Sequence, residues 1–314
     1  MINKNPNISI IMPVYNAEKF LDENILAILN QSFDDFEFII IDDESKDKSW
    51  EMIKRYAKKD KRIVALKNEK NLGCVNTRNK GLRIAKGKYI AVMDPDDVSL
   101  MDRIRIQTSY LDKHPEIFLV GGSAIVIDEE GNKLGVLKKQ DNYRKIGEKM
   151  KDYNCMIHPS VMHRNTGEFF YREKFIISDD YDFLLRILSA GRKMTNIPEF
   201  LIKYRVNKGS FTFTKKNPEY FFIKAKEFYI QRIKTGRDGY DKLDVDKVEP
   251  KKVDFNKTYS KTLIVVKFQD NQMREVRKEI KNYLKNYSLD KQIITYYFLS
   301  FFPIKITRFL RDAI

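Results

Sequence analysis

The stretch that decides the fold is ISIIMPVYNAEKFLDENILAILNQ, residues 8–31. It opens with a mostly apolar run of strand length and continues with apolar residues at helical spacing, at positions 20, 21, 25, 28 and 29. The same alternation returns in FEFIIID with DKSWEMIKRYAKKD, in RIVALKN with CVNTRNKGLRIAKG, and in KYIAVMD. Buried strands that alternate with helices predict right-handed crossovers and an α/β fold with a largely parallel sheet.

The middle of the chain departs from this strict alternation. Residues 117–140 form two strand-like runs around an EEGN turn, which predicts a hairpin and makes the sheet mixed. A short helix is expected near residues 142–151, and a longer one that starts at Ser178 and stops at Gly191. TNIPEFLIKYRV then supplies a last extended stretch.

Beyond residue 214 the composition changes, because residues 215–314 carry 23 basic and 13 acidic side chains. Helical patterns cover residues 217–233, 271–287 and 290–313, and the highly charged segment 234–254 is the best linker candidate. The sequence therefore predicts one large domain over residues 1–214 and a basic helical C-terminal region over 215–314.

Composition limits the class of protein. The 314 residues are 42% hydrophobic and 33% charged, and no run approaches the roughly 20 apolar residues of a membrane-spanning helix. The N-terminus has the pattern of a first strand, not of a signal peptide, so we expect a cytoplasmic protein with both cysteines reduced. The net charge of +15 favours an anionic partner: nucleic acid, a nucleotide or an acidic membrane surface.

Polar residues close each of the early strands, and in a parallel sheet ligands bind beyond such carboxyl ends. They are Pro13 and Tyr15 after the first strand, Asp42 and Asp43 after the second, and Asp94, Asp96 and Asp97 after the fourth. Acids at one strand end are often helix caps, which is the alternative for the second pair. Three crowded carboxylates, however, repel one another unless a cation compensates them.

A cluster of hard oxygen ligands suits Mg²⁺ or Mn²⁺, ions that commonly bridge protein carboxylates to phosphates. The sequence has no GxxxxGK[ST] phosphate loop, no GxGxxG fingerprint and no HExxH spacing. Any phosphates would therefore be held by the metal and by basic side chains.

Six motifs in order resemble the family 2 inverting glycosyltransferases of GT-A fold, of the bacterial or archaeal cell-surface glycan type. They are IIMPVYNAEKFL, IIIDDESKDKS, NLGCVNTRNKGL, YIAVMDPDDVS, HPSVMHR and SDDYDFLLRILSAGRKM, and they span roughly residues 8–210. The resemblance implies a hexosyltransferase that uses a nucleotide-sugar donor, UDP-linked by expectation, and Mn²⁺ or Mg²⁺. It also implies a nucleotide-sugar half over residues 1–100 and an acceptor half over 101–214.

The family's donor-site roles carry over residue by residue. Pro13 and Tyr15 would line the nucleoside pocket, with Asp42 on the base and Asp43 beside it. Arg78 would lie near the nucleoside and diphosphate, and Asp94 and Asp96 form the DxD element, with Asp96 the favoured metal ligand.

Inversion also needs a base on the acceptor hydroxyl. Asp180, which matches the second acid of the family's ED motif, is the predicted base, and Asp179, which replaces the usual Glu, is the alternative. A first-turn position favours the ionised form, although such acids are also common helix stabilisers. His158 and Asp97 are candidates for the acceptor site, and a structural role for His158 is the alternative. Asn207 and Lys208 stand where many relatives have a histidine near the metal.

The acceptor would be a glycan or a lipid-linked sugar, and transfer to a polyprenyl phosphate stays an alternative. The segment 290–313 mixes aromatic and basic residues, so it suits either a packed helix or one lying on a membrane surface. A nucleotidyltransferase is a weaker alternative, because it would need a Gly-rich, basic phosphate loop after the first strand and the sequence has none there. A nucleic-acid-binding protein is disfavoured because residues 1–214 have a net charge of only +5 and the polar rim of their sheet is acidic. A catalytically inactive glycan-binding relative also remains open.

Overall fold

The computed structural model describes residues 5–207, 217–249, 251, 253–288 and 290–302. Within them one sheet of nine strands runs in the order β3-β2-β1-β4-β8-β6-β9-β5, with β7 paired to β6. The strands are β1 (Ile8–Val14), β2 (Phe36–Asp42), β3 (Ile63–Lys67), β4 (Tyr89–Val92), β5 (Val98–Ser99), β6 (Ile117–Ile127), β7 (Lys133–Leu137), β8 (Met162–Arg164) and β9 (Lys193–Arg205). The first four strands in this spatial order, β3, β2, β1 and β4, are mutually parallel, as predicted.

Helices connect these strands and cover the sheet. The first six are α1 (Glu18–Leu29), α2 (Ser49–Ala57), α3 (Cys74–Ile84), α4 (Arg103–Lys113), α5 (Tyr143–Lys149) and α6 (Asp179–Ser189). Strand β1 is buried along its whole length because helices cover both faces of the sheet. Helix α3 approaches β1 closely through Gly81, where a Cβ would lie 2.6 Å from Cγ2 of Ile11.

The second half of the sheet is mixed, as the sequence predicts. Strand β8 is antiparallel to both β4 and β6, and β6 forms the expected hairpin with β7. Strand β9 then runs parallel to β6 and ends beside the DxD segment, because its residue Lys203 pairs with Val98 of β5. This return brings Arg205 and Asn207 to the same edge of the sheet as the predicted acids.

The C-terminal region contains α7 (Pro218–Thr235), α8 (Phe255–Gln269), α9 (Met273–Leu284) and α10 (Lys291–Leu299). Helix α7 shares the core of the first domain, since Phe221 and Phe228 both contact the ring of Phe175. The other three helices surround a core of their own, and α8 packs on β7.

Two expectations about this region need correction. The sequence analysis did not predict α8, whose apolar residues have no simple one-sided pattern. The segment 234–254 is not a free linker: Leu243 is buried and Tyr240 stacks on Phe175. The predicted helix 290–313 is present as α10, and its residues 303–313 lie outside the described part of the chain.

Candidate active site

The predicted polar rim forms where the carboxyl ends of β1 and β2 meet. Val14 pairs with Asp42 in register, and the backbone N–H of Asp43 donates to the Val14 carbonyl at 2.7 Å. Tyr15 follows directly and is 49% exposed, whereas Pro13 is buried within the sheet. The edge therefore offers an open aromatic ring beside two buried carboxylates.

The two carboxylates have different partners. Asp43 accepts hydrogen bonds from the backbone N–H groups of Leu72 and Gly73, each at 2.8 Å, and so fixes the loop before α3. Oδ2 of Asp42 accepts from Ser45 N–H at 3.2 Å and lies 3.9 Å from Lys67 Nζ, while its Oδ1 is buried and has no partner among the described residues. A buried acceptor with no donor calls for an explanation, and a bound ligand is one.

Arg78, on α3, joins the two acidic motifs. Its guanidinium lies 2.7 Å from Oδ2 of Asp179 and 3.4 Å from Oδ1 of Asp94, and it stacks over Tyr171 at 4.8 Å. The side chain is only 4% exposed, and its Nε has no partner among the residues described. One buried cation therefore holds together acids that are far apart in the sequence.

The DxD segment follows β4 and crowds the carboxylates of Asp94, Asp96 and Asp97 together. Burial raises the pKa of Asp94. Burial and the charge of Asp94 raise the pKa of Asp96 to about 6. The Nδ2 of Asn207, which stands where many relatives have a histidine near the metal, donates to Oδ2 of Asp96 at 2.9 Å. Like charges held this close favour a bound cation.

Asp94 and Asp96 fit a divalent ion whose remaining ligands are supplied by the bound substrate. In the part of the chain that the structure describes, no three His, Cys, Asp or Glu side chains form a metal cage. Asp94 and Asp96 would supply two carboxylates to such an ion. Mg²⁺ and similar ions are usually bound through one or two carboxylates together with substrate phosphates.

The candidate base lies at the start of α6. Asn154 Nδ2 donates to Oδ2 of Asp180 at 2.8 Å, and burial, reinforced by Asp179, raises the pKa of Asp180 to about 7. Ser178 occupies the predicted helix start in a left-handed conformation with φ 57°, and its side chain makes no capping bond. Asp179 is bound to Arg78, whereas Asp180 has no ion pair with any of the residues that the structure describes.

Comparison with known sequences gives the family. Residues 9–177 match the model of "Glycosyl transferase family 2". The chain belongs to glycosyltransferase family 2. An uncharacterized glycosyltransferase of Methanocaldococcus jannaschii is 41% identical over 206 residues, which cover 64% of this chain and 71% of that protein. A second relative is the Escherichia coli UDP-Glc:alpha-D-GlcNAc-diphosphoundecaprenol beta-1,3-glucosyltransferase WfaP. It is 32% identical over 210 residues, which cover 66% of this chain and 80% of that protein.

Solved structures of GT-A glycosyltransferases share the fold. The Pyrobaculum calidifontis mannosyltransferase PcManGT, in complex with GDP-Man and Mn²⁺, superposes with a TM-score of 0.56 at 14% identity and covers 98% of this chain and 83% of its own. Staphylococcus aureus TarS 1-349 with UDP-GlcNAc gives a TM-score of 0.57 at 18% identity over 72% of this chain. This chain spans about two thirds of the TarS chain, 66%. The predicted family, fold class and transferase class are confirmed.

The two acceptor-site candidates of this glycosyltransferase lie below the surface. His158 is buried, its Nε2 lies 2.8 Å from the Tyr171 hydroxyl, and burial holds its pKa well below the usual range. Asp97 is 2% exposed, and its Oδ1 accepts the Arg205 backbone N–H at 2.8 Å. Both positions support neighbouring site residues, and their burial disfavours direct contact with an acceptor.

Three residues that line the candidate site were not predicted from the sequence. Asn154 lies outside the six motifs, and only its tertiary contact with Asp180 marks it. Tyr171 supports Arg78 and His158. Arg205 donates from Nε to the Asp96 carbonyl at 2.8 Å. Its position two residues before Asn207, where many relatives have a histidine, could have identified it from the sequence.

Proposed function

We propose that this protein is an inverting glycosyltransferase that moves a sugar from a UDP-linked donor to an acceptor hydroxyl in the synthesis of a cell-surface polysaccharide or glycoconjugate. The observation that carries the proposal is the Arg78 bridge, which unites the DxD acid Asp94 with the Asp179–Asp180 pair. The E. coli relative, whose name specifies UDP-Glc, supports the choice of nucleotide.

The donor would bind along the rim from Tyr15 to Asp94. The exposed Tyr15 ring offers a face for the base, and the unpartnered Oδ1 of Asp42 can accept a base N–H. Arg78, whose Nε is also unpartnered, supplies a donor for a phosphate oxygen. Asp43 would act indirectly by holding the loop at Leu72 and Gly73, while Pro13 contributes to the buried wall of the pocket.

Mn²⁺ or Mg²⁺ would be held by Asp96 and Asp94. Such an ion supplies Lewis-acid stabilisation of the departing nucleoside diphosphate without a proton. The chain's own part is to keep both carboxylates in place: Arg205 binds the Asp96 carbonyl, and Asn207 binds the Asp96 side chain.

Asp180 would remove the proton from the acceptor hydroxyl as the sugar is transferred. Its pKa of about 7 lies near the operating pH, where a general base is most effective. Asn154 orients the carboxylate by binding one of its oxygens. Asp179, bound to Arg78, would act by positioning that arginine and by holding up the pKa of its neighbour.

The acceptor is proposed to be a glycan or lipid-linked sugar, with a polyprenyl phosphate as the second candidate, and not nucleic acid. Residues 1–214 would form the catalytic domain, with its donor half over 1–100 and its acceptor half over 101–214, and residues 215–314 the appended basic region. None of the described helices is long and apolar enough to cross a bilayer. We place the protein in the cytoplasm, at the inner face of the membrane, through aromatic residues of 290–313, of which Phe298 is 63% exposed.

Calorimetric titration of UDP with and without Mn²⁺ tests the donor site. We expect wild-type binding to need the metal, and Asp96→Ala to abolish it, because that substitution removes the favoured metal ligand. Asp35→Ala, an exposed acid between α1 and β2, is the matched control and should bind like wild type. If UDP fails, GDP and dTDP are tried in turn, and failure of all three would contradict the nucleotide-sugar proposal.

The pH dependence of the reaction tests the base. Because Asp180 must be ionised to accept a proton and its pKa is about 7, kcat/KM should fall as the pH drops below about 7. Asp179→Asn removes a charge that raises this pKa, so the acid limb should move to lower pH. An acid limb unchanged in Asp179→Asn would assign the titration to another group.

A further inference from the structure

A groove beside helix α7 has no role in the proposed reaction. It has a volume of about 290 Å³ and lies between α6, α7 and the loop after α5. Its lining, here named the α6–α7 groove, consists of Met150, Lys151, Leu185, Lys226, Tyr229, Ile230, Ile233 and Lys234. The floor is therefore apolar and the charged side chains are all lysines.

Helix α7 has two apolar faces, and only one of them is used by the fold. Phe221, Ala225 and Phe228 point into the core of the first domain. On the other face Ile223, Ile230 and Ile233 are 47%, 47% and 58% exposed. At 100° per residue, Lys226 and Lys234 fall on this same outer face. A helix that is apolar on both sides is expected to be covered on both sides.

The lysines identify what covers the outer face. Lys151, Lys226 and Lys234 form no ion pair with any residue in the described ranges. Exposed branched side chains surrounded by unpaired lysines are the pattern of an interfacial helix that binds anionic lipid headgroups. A second copy would bring the same lysines together and be repelled. We propose that the α6–α7 groove docks this protein on a bilayer that contains anionic lipids.

This surface lies close to the candidate active site. Leu185 follows Asp180 by five residues on α6, about 7.5 Å along the helix axis. Lys151 precedes Asn154, the partner of Asp180, by three residues. Docking here would hold the catalytic acid near the headgroups, where a lipid-linked acceptor presents its sugar. The docking itself does not depend on the transfer reaction.

Sedimentation of the full chain with vesicles tests the proposal. We expect binding to mixed phosphatidylcholine and phosphatidylglycerol vesicles, little binding to phosphatidylcholine alone, and weaker binding at high salt. The variant Lys151→Glu/Lys234→Glu should lose at least about tenfold in affinity. Ile230→Ser/Ile233→Ser should also lose about tenfold. Ile230, Ile233 and Lys234 lie on the outer face of α7, and Lys151 lies in the loop after α5. All four side chains are exposed, so the thermal unfolding temperature should be unchanged.

Matched controls carry the same substitutions elsewhere. Lys58→Glu/Lys59→Glu changes two exposed lysines after α2, and Leu26→Ser removes an exposed apolar side chain from α1. Both should bind like wild type. The proposal is overturned if wild type ignores anionic vesicles, or if only Phe298→Ser/Phe301→Ser abolishes binding. It is also overturned if Ile230→Ser/Ile233→Ser merely separates a dimer, seen by size-exclusion chromatography, and vesicle binding persists.

Discussion

Asp180→Asn should lower kcat by about 10²–10⁴-fold, which is the range that a positioned general base contributes. The asparagine side chain keeps the shape of the acid and can still contact Asn154, but it cannot accept the acceptor's proton. UDP affinity should stay within about twofold of wild type, because a loss confined to the chemical step leaves binding unchanged. Initial rates at saturating donor and acceptor, with calorimetry of UDP, measure both quantities.

The matched control for this prediction is Asp152→Asn, an exposed acid in the same loop as Asn154. It changes the charge near the site by the same amount, and it should retain near wild-type kcat. Asp179→Asn separates the two acids of the motif. If Asp179→Asn proved inactive while Asp180→Asn kept its turnover, the base would be Asp179 and the assignment drawn from the ion pair would be wrong.

Arg78→Met should lower the free energy of unfolding by about 3 kcal/mol, because removing one partner of a buried ion pair leaves the other charges uncompensated. Asp94 and Asp179 are 29% and 17% exposed, so water screens part of this cost and the value lies at the low end of the usual range. UDP binding should also be lost, since the substitution removes the proposed phosphate donor. Urea denaturation gives the first quantity and calorimetry the second.

Arg83→Met is the control on the same helix, because Arg83 is exposed and the change should cost less than about 1 kcal/mol. The double variant Arg78→Met/Asp179→Asn completes a cycle with the two single variants. A coupling energy above about 1 kcal/mol is expected for residues in direct contact. Additive effects would mean that the 2.7 Å contact between Arg78 and Asp179 contributes nothing to stability.

Much of the fold follows from patterns that a single strand or helix carries. The runs 8–14, 36–42 and 63–67 are apolar because helices cover both faces of the sheet, and they form β1 to β3 in parallel register. Helix α8 was not predicted because its buried Ile264, Val266 and Phe268 serve two different cores. Periodicity detects one apolar face, and it fails where neighbours lie on several sides.

The acids of the site could also be found from the sequence, since Asp42, Asp94 and Asp96 close predicted strands and the motif order identifies Asp179 and Asp180. The different contacts of these acids could not be predicted from the sequence. The sequence placed Asp97 among the carboxylates of the rim, and the structure directs it inward to the Arg205 backbone. That contact depends on β9 returning beside β5, which no local pattern encodes.

The sequence by itself determined the α/β alternation, the acidic rim and the family, because each depends on residue types at short spacing. Only the tertiary structure decided which acid is paired and which is free. Arg78 reaches Asp179 across a separation of 101 residues, and Asn154 reaches Asp180 from a loop with no motif. Burial and the charge of Asp179 raise the pKa of Asp180 to about 7, and both act only when the chain is folded.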